Sequence, residues 1–161
     1  MKPNFEINEV TYEVFKFPSG EVQVTLTEFR TPYSHIVIKG SILSSDHIME
    51  LFQLVSILNR RGITTSNIKL VMPYCAYSRQ DRVCNPGEAL SMQVFAKMIN
   101  SLGFGAIETH DNHSDVATAL LDNCTNISVE RIINFVDAKY DYLISPEIGR
   151  ASCRERVSSP V

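Results

Sequence analysis

From residue 35 onward, short apolar runs alternate with segments whose apolar residues recur at helical spacing, and this alternation constrains the fold more than any other feature. Residues 35–39 and 67–72 read as strands. Between them, residues 44–61 place Ile48, Leu51, Phe52, Val55 and Leu58 on one helical face, with Ser44 or Ser45 as cap, Arg60 and Arg61 at the negative end and Gly62 as stop. Residues 88–102 form a second amphipathic segment, with Leu90, Val94, Phe95, Met98, Ile99 and Leu102 expected inward and Gly103 closing it. A strand at 104–109, a shorter helix through Leu121, a strand at 127–129, a helix at 130–138 and a last strand at 140–144 continue the pattern. The continuous apolar run 67–72 suits a strand covered on both faces. Such a chain folds as an α/β domain with right-handed crossovers around a mostly parallel, doubly wound sheet.

Upstream, residues 10–17 and 21–29 are two strand-like stretches around Phe17-Pro18-Ser19-Gly20, whose proline and glycine supply turn chemistry. The second alternates cleanly, with Val22, Val24 and Leu26 on one face and Gln23, Thr25 and Thr27 on the other.

Composition narrows the class. At 161 residues and 44% hydrophobic, the chain has enough material for one packed core. No apolar run approaches the roughly 18–20 residues of a membrane-spanning helix, and the first ten residues lack the pattern of a secretory signal. A net charge of −3 argues against a nucleic-acid binder relying on bulk positive charge. A cytoplasmic protein without nucleic-acid or membrane partners is expected. Cys75, Cys84, Cys124 and Cys153 are widely spaced, without a C-x-x-C pair, and read as reduced thiols.

The last residues break the pattern. Residues 147–161 carry three arginines, lack periodicity, and match one translated frame of a common sequencing adapter, with 158–160 in the position of an index. They are expected to be a non-native tail and are set aside from fold reasoning. Residues 1–146 are then the native domain; without the three arginines and one glutamate of 148–161, the remaining residues 1–147 carry a charge of −5. The natural protein is expected to continue past Pro146.

Open parallel sheets bind ligands at the carboxyl ends of their strands, and two loops there are densely polar. After the strand ending at Met72 comes Tyr74-Cys75-Ala76-Tyr77-Ser78-Arg79-Gln80-Asp81-Arg82. Two arginines beside a Gln-Asp pair offer forked donors to phosphate oxygens, with Asp81 orienting one fork; a solvated charged loop has the same composition. After the strand ending at Thr109 comes His110-Asp111-Asn112-His113. On an extended backbone Asp111 and His113 reach one divalent ion, a partial magnesium site that substrate phosphate would finish; polar capping of the next helix is the competing reading. There is no G-x-x-x-x-G-K-[ST], no G-x-G-x-x-G and no G-x-S-x-G, so any nucleotide is held by loop side chains.

These loops resemble a known family. Pro73-Tyr74-Cys75-Ala76-Tyr77-Ser78-Arg79-Gln80-Asp81-Arg82 is similar to the P-Y-x-x-Y-x-R-Q-D-R signature of the ribose-phosphate pyrophosphokinases, the PRPP synthetases. Phe17-Pro18-Ser19-Gly20-Glu21 resembles their F-x-D-G-E turn, Asp111-Asn112-His113 their D-x-H, and residues 142–146 the strand and Ser-Pro that open their next catalytic stretch. The four agree in order and spacing over nearly all of residues 10–146.

The resemblance implies a phosphoribosyltransferase-like domain, the N-terminal, ATP-side half of a two-domain homo-oligomeric enzyme with ATP at a subunit interface. The implied reaction is magnesium-dependent transfer of the β,γ-diphosphoryl group of ATP to the 1-hydroxyl of ribose 5-phosphate, giving PRPP and AMP for nucleotide biosynthesis. It implies that Phe17 stacks on adenine and Glu21 accepts from its amino group, with Ser19 beside them. Arg79, Gln80 and Arg82 are implied to hold ATP and its phosphates, and His113, with Asp111, to meet Mg2+. Ser19 stands where the family carries an acidic residue, which loosens base selectivity. The position of the metal-binding Asp after Ser-Pro falls at Glu147, on the tail junction. The catalytic basic residues and the ribose 5-phosphate loop belong to the second domain, so this chain alone is expected to be inactive. The alternative is a non-catalytic homologue that binds and regulates an active synthetase.

Overall fold

The computed structural model describes residues 1–8, 10–29 and 35–128. In chain order they form β1 (Glu6–Ile7), β2 (Val10–Lys16), β3 (Val22–Phe29), β4 (Ile36–Lys39), α1 (Ser45–Arg60), a 3-10 turn (Thr65–Asn67), β5 (Ile68–Met72), α2 (Ser91–Asn100), β6 (Ala106–His110), α3 (Asp115–Leu120) and β7 (Cys124–Ile127). The seven strands make one mixed sheet in the order β3-β2-β1-β4-β5-β6-β7. β4 to β7 are parallel, each joined to the next by a helix. β1 to β3 extend the sheet in antiparallel fashion beyond β4. The parallel half is thus the alternating α/β portion anticipated above; the expected helix at 130–138, the strand at 140–144 and the tail lie outside the described residues.

The parallel strands bury one face. Ile36, Ile38, Leu70, Met72 and Ile107 are at most 2% exposed and join Leu51, Leu54, Leu58, Met92, Phe95 and Ile99 of the helices in one core. Alternate positions turn the other way, as the period of two demands. There Glu108 accepts from Lys69 Nζ at 2.7 Å and pairs with His110 Nε2 at 3.0 Å. Both contacts, Lys69 before His110, hold the Glu108 carboxyl below the usual range against partial burial.

The antiparallel half is tied to α1 by polar contacts beneath the hairpin. Glu50 is buried, and its Oε1 accepts from the Asn4 N–H at 2.8 Å and the Tyr12 hydroxyl at 2.6 Å. The Tyr12 oxygen in turn accepts from the Phe5 N–H at 2.8 Å. Burial, reinforced by the Glu50 contact, pushes the Tyr12 phenol well above its ordinary range. Gln53 accepts from the Val24 N–H and donates to the Val22 carbonyl, occupying part of the backbone edge that β3 would otherwise leave open.

Local boundaries shift for identifiable reasons. Ser44 is the cap of α1, its Oγ accepting from the His47 N–H. α2 starts at Ser91 rather than 88, because Glu88 instead accepts from the Cys84 and Asn85 N–H groups and the Asn85 side chain. Its buried residues are Met92, Phe95, Ala96 and Ile99, whereas Val94 and Met98, expected inward, are exposed. The last described strand is Cys124–Ile127 rather than 127–129, set by parallel pairing with β6. β6 begins at Ala106 because Gly105 passes against the 3-10 turn: its N–H donates to the Thr65 and Ile68 carbonyls, and a Cβ there would lie 1.9 Å from the Ser66 carbonyl oxygen. Among the described residues Cys75, Cys84 and Cys124 form no disulfide, and burial raises the Cys75 thiol to about 12, which makes it inert. No helix among them is long and apolar enough to cross a membrane.

Candidate functional site

Parallel pairing of β5 with β6 sets Met72 beside Thr109, so the loops leaving these strands emerge side by side. Each loop holds a non-glycine residue in left-handed backbone conformation, Tyr77 at φ 62° and Asp111 at φ 45°. Such residues cost of order 1–3 kcal/mol and persist where the surroundings impose them. The Asp111 conformation removes the extended backbone on which a joint Asp111–His113 reach depended; the Asp111 N–H instead donates to the Ile127 carbonyl at 2.9 Å.

What joins the loops is Asp81. Its side chain is only 9% exposed, its Oδ2 lies 3.9 Å from His113 Nδ1, and its Oδ1 lies 3.7 Å from Arg82 Nε. The Ser114 hydroxyl is the main influence holding the Asp81 carboxyl below its ordinary range, with Arg82 and His113 adding to it and burial opposing. Asp81 is therefore an anion at neutral pH, bridging the two loops. The 73–90 loop is pinned by the Gln80 N–H donating to the Tyr77 carbonyl and the Met92 N–H donating to the Gln80 carbonyl. Buried Asn112 anchors the other loop through donation to Thr109 Oγ1 and Thr118 Oγ1 and through its own N–H to Asn126.

The residues singled out from sequence fall into two groups. Arg79, Gln80, Arg82, Asp111 and His113 share the ends of β5 and β6; Arg79 and Gln80 are exposed, and the Arg82 side chain is 78% exposed. Phe17, Ser19 and Glu21 form the tip of the β2–β3 hairpin. There the Gly20 N–H donates to the Phe17 carbonyl and the Phe17 N–H to the Glu21 carbonyl, with Gly20 at φ 98°, the three-residue hairpin turn that needs glycine at its last position. Phe17 is 44% exposed and meets Phe15 edge-on, ring centroids 4.9 Å apart, and Ser19 Oγ donates to Glu21 Oε2 at 2.7 Å. The sequence reading missed Ser114 as a site residue; its signal was only position, one residue past the His113 motif and at the cap of α3.

As to a metal, the described residues contain no cluster of three or more His, Cys, Asp or Glu side chains able to hold one. The donors present fit a partial site: the Asp81 Oδ1 is buried and accepts no hydrogen bond among the described residues, and an imidazole lies across the carboxylate. A hard cation would need oxygens from its ligand to complete its shell.

A mixed sheet with helices, its polar loops at adjoining strand ends, defines an α/β domain of the open-sheet class. The chain belongs to the family of N-terminal domains of ribose phosphate pyrophosphokinase, whose pattern it matches over residues 2–103. It is 32% identical over 143 residues to ribose-phosphate pyrophosphokinase 2 of Archaeoglobus fulgidus, covering 88% of this chain and 48% of that protein. It is 33% identical over 110 residues to the ribose-phosphate pyrophosphokinase of Bacillus subtilis, covering 68% and 34%. The fold is that of phosphoribosylpyrophosphate synthetase from Mycobacterium smegmatis, with a TM-score of 0.62 at 18% identity over 76% of this chain and 41% of that one. The chain thus spans at most about half the length of these relatives.

Proposed function

We propose that this chain is the ATP-side domain of a ribose-phosphate pyrophosphokinase, the parent protein moving diphosphate from ATP to the 1-hydroxyl of ribose 5-phosphate. The observation that carries the reading is the Arg82–Asp81–His113 bridge between two strand-end loops, in a chain of this family. Arg79 and Arg82 bind the triphosphate by charge-assisted forked hydrogen bonds, and Gln80 adds an amide. Asp81 sits between Arg82 and His113, 3.7 Å from one and 3.9 Å from the other, and leaves the Arg82 side chain in solvent where it can reach a phosphate. Asp81 and His113, with Asp111 nearby in sequence, are the residues that would hold magnesium, which when bound neutralises triphosphate charge. At the hairpin tip Phe17 stacks on adenine and Glu21 accepts from its amino group. Ser19 Oγ donates to Glu21 Oε2, which fixes the carboxylate while Oε1 and the second lone pair of Oε2 stay open to the base. Diphosphoryl transfer itself needs the ribose 5-phosphate cradle and basic residues of the second domain, so this chain binds ATP without turning it over. The parent acts in the cytoplasm as a homo-oligomer.

Calorimetric titration of ATP, with magnesium and with EDTA, tests this. Arg82→Ala is expected to weaken ATP binding about tenfold or more, the loss of a charge-assisted contact worth about 1.5–3 kcal/mol. EDTA is expected to weaken it in wild type. Equal affinity in wild type and variant would remove the phosphate role.

A further inference from the structure

We propose that the cavity between the β4–α1 loop and the 73–80 loop is a separate binding site for a planar, uncharged heteroaromatic ring of the nucleobase class. The cavity has a volume of about 240 Å³ and is lined by Ile42, Leu43, Ser44, Ile48, Tyr74, Ala76, Tyr77 and Gln80. It opens at the carboxyl ends of the neighbouring strands β4 and β5, where an open sheet accepts ligands. Its volume lies below the roughly 300–1,000 Å³ of pockets that enclose whole drug-sized molecules, so it suits a ring and not an entire nucleotide.

The lining specifies the chemistry of that ring. No lining side chain carries a formal charge, so the phosphate end of a nucleotide gains nothing inside. Ile42 and Ala76 are buried floor, while Tyr74 and Tyr77 stand 52% and 41% exposed as aromatic walls. Tyr77 is held in place twice, by its left-handed backbone and by its ring against Phe95 at 5.5 Å. At the mouth, Gln80 has its backbone fixed on both sides, yet its carboxamide makes no hydrogen bond among the described residues. A carboxamide presents one donor face and one acceptor face in a plane, the complement of a heterocycle edge with adjacent acceptor and donor. Aromatic walls, an apolar floor and a planar hydrogen-bonding pair describe a base-binding slot.

This site is distinct from the adenine position assigned to Phe17 and Glu21, which lies on the hairpin tip and shares no lining residue with the cavity. The test uses the full 161-residue chain with two probes: adenosine, which has the ring without phosphate, and tripolyphosphate, which has phosphate without the ring. Tyr74→Ala removes one wall, Leu43→Trp fills the mouth, and Phe17→Ala removes the hairpin platform. All three positions are surface-exposed, and far-ultraviolet circular dichroism checks folding. Adenosine is expected to keep one binding site in Phe17→Ala, where the hairpin position is removed, and that remaining site is expected to be at least tenfold weaker when Tyr74→Ala or Leu43→Trp is added. Absence of adenosine binding at millimolar concentration, or binding lost in Phe17→Ala and kept in both cavity variants, overturns the proposal. Gln80 lines the cavity and borders the phosphate loop, so tripolyphosphate reports on Arg79 and Arg82, which the cavity does not share: if it fails to bind while adenosine follows the cavity variants, the phosphate reading falls and the cavity assignment stands.

Discussion

Asp81 shows how one side chain joins two stretches of sequence thirty residues apart. It sits in the loop after β5, yet the groups that depress its carboxyl are Ser114, then Arg82 and His113, two of them from the loop after β6. A carboxyl whose pKa is lower folded than unfolded stabilises the protein above its ordinary value of 3.8, and that contribution disappears as pH falls through the lower folded value. Asp81→Asn removes the linked proton. Wild type is therefore expected to exceed Asp81→Asn in urea midpoint at neutral pH, with the difference shrinking below about pH 4. A difference that stays constant from pH 7 to pH 3 would mean the charge on Asp81 contributes nothing to holding the loops together. From sequence, the motif around Asp81 was visible but its bridging role was not, because nothing local marks a partner from another loop.

At the scale of elements, what was legible followed from periodicity. Val22–Phe29, apolar at alternate positions over its first half, Ile36–Lys39, a short apolar run, and the α1 stripe of Leu51, Val55 and Leu58 were readable because their apolar residues follow the backbone period or cluster at strand length. Glu6–Ile7 was not, since two residues hold no period; it exists because β2 and β4 both pair with it. The inward face of α2 was misassigned at Val94 and Met98 because a 15-residue window tolerates a rotation that only packing against the sheet removes. The packing of the segment before β6 against the 3-10 turn was equally hidden, as it depends on Gly105 lying against Ser66. Gly105→Ala is expected to destabilise by about 1–3 kcal/mol in urea unfolding, the usual cost of overpacking a tight contact. Ser66→Gly in the same background is expected to restore nothing, because the colliding atom is the backbone carbonyl oxygen. Wild-type stability in Gly105→Ala would show that this turn moves aside freely.

At the scale of the whole molecule, the proposed function divides the work of binding from the work of transfer. The parallel half places two polar loops at adjacent strand ends, and the antiparallel half carries an aromatic tip braced to α1 by the Lys16–Asp46 ion pair. In the proposed function these parts hold a triphosphate and a base. Moving a diphosphoryl group also requires an acceptor hydroxyl aligned with the β-phosphorus, and hence a second oxyanion cradle for the sugar phosphate. Arg79 and Arg82 cannot serve both ends at once if they are engaged with ATP. The relatives carry about as much chain again, or more, beyond the matched region, which is where such a cradle has room to exist. The proposed division therefore makes a kinetic prediction separate from the binding ones. Incubated with ATP, magnesium and ribose 5-phosphate, the 161-residue chain is expected to release AMP no faster than a protein-free control, while still binding ATP in calorimetry. AMP formation that depends on ribose 5-phosphate and is lost in Arg82→Ala would show that one domain of this family carries both cradles.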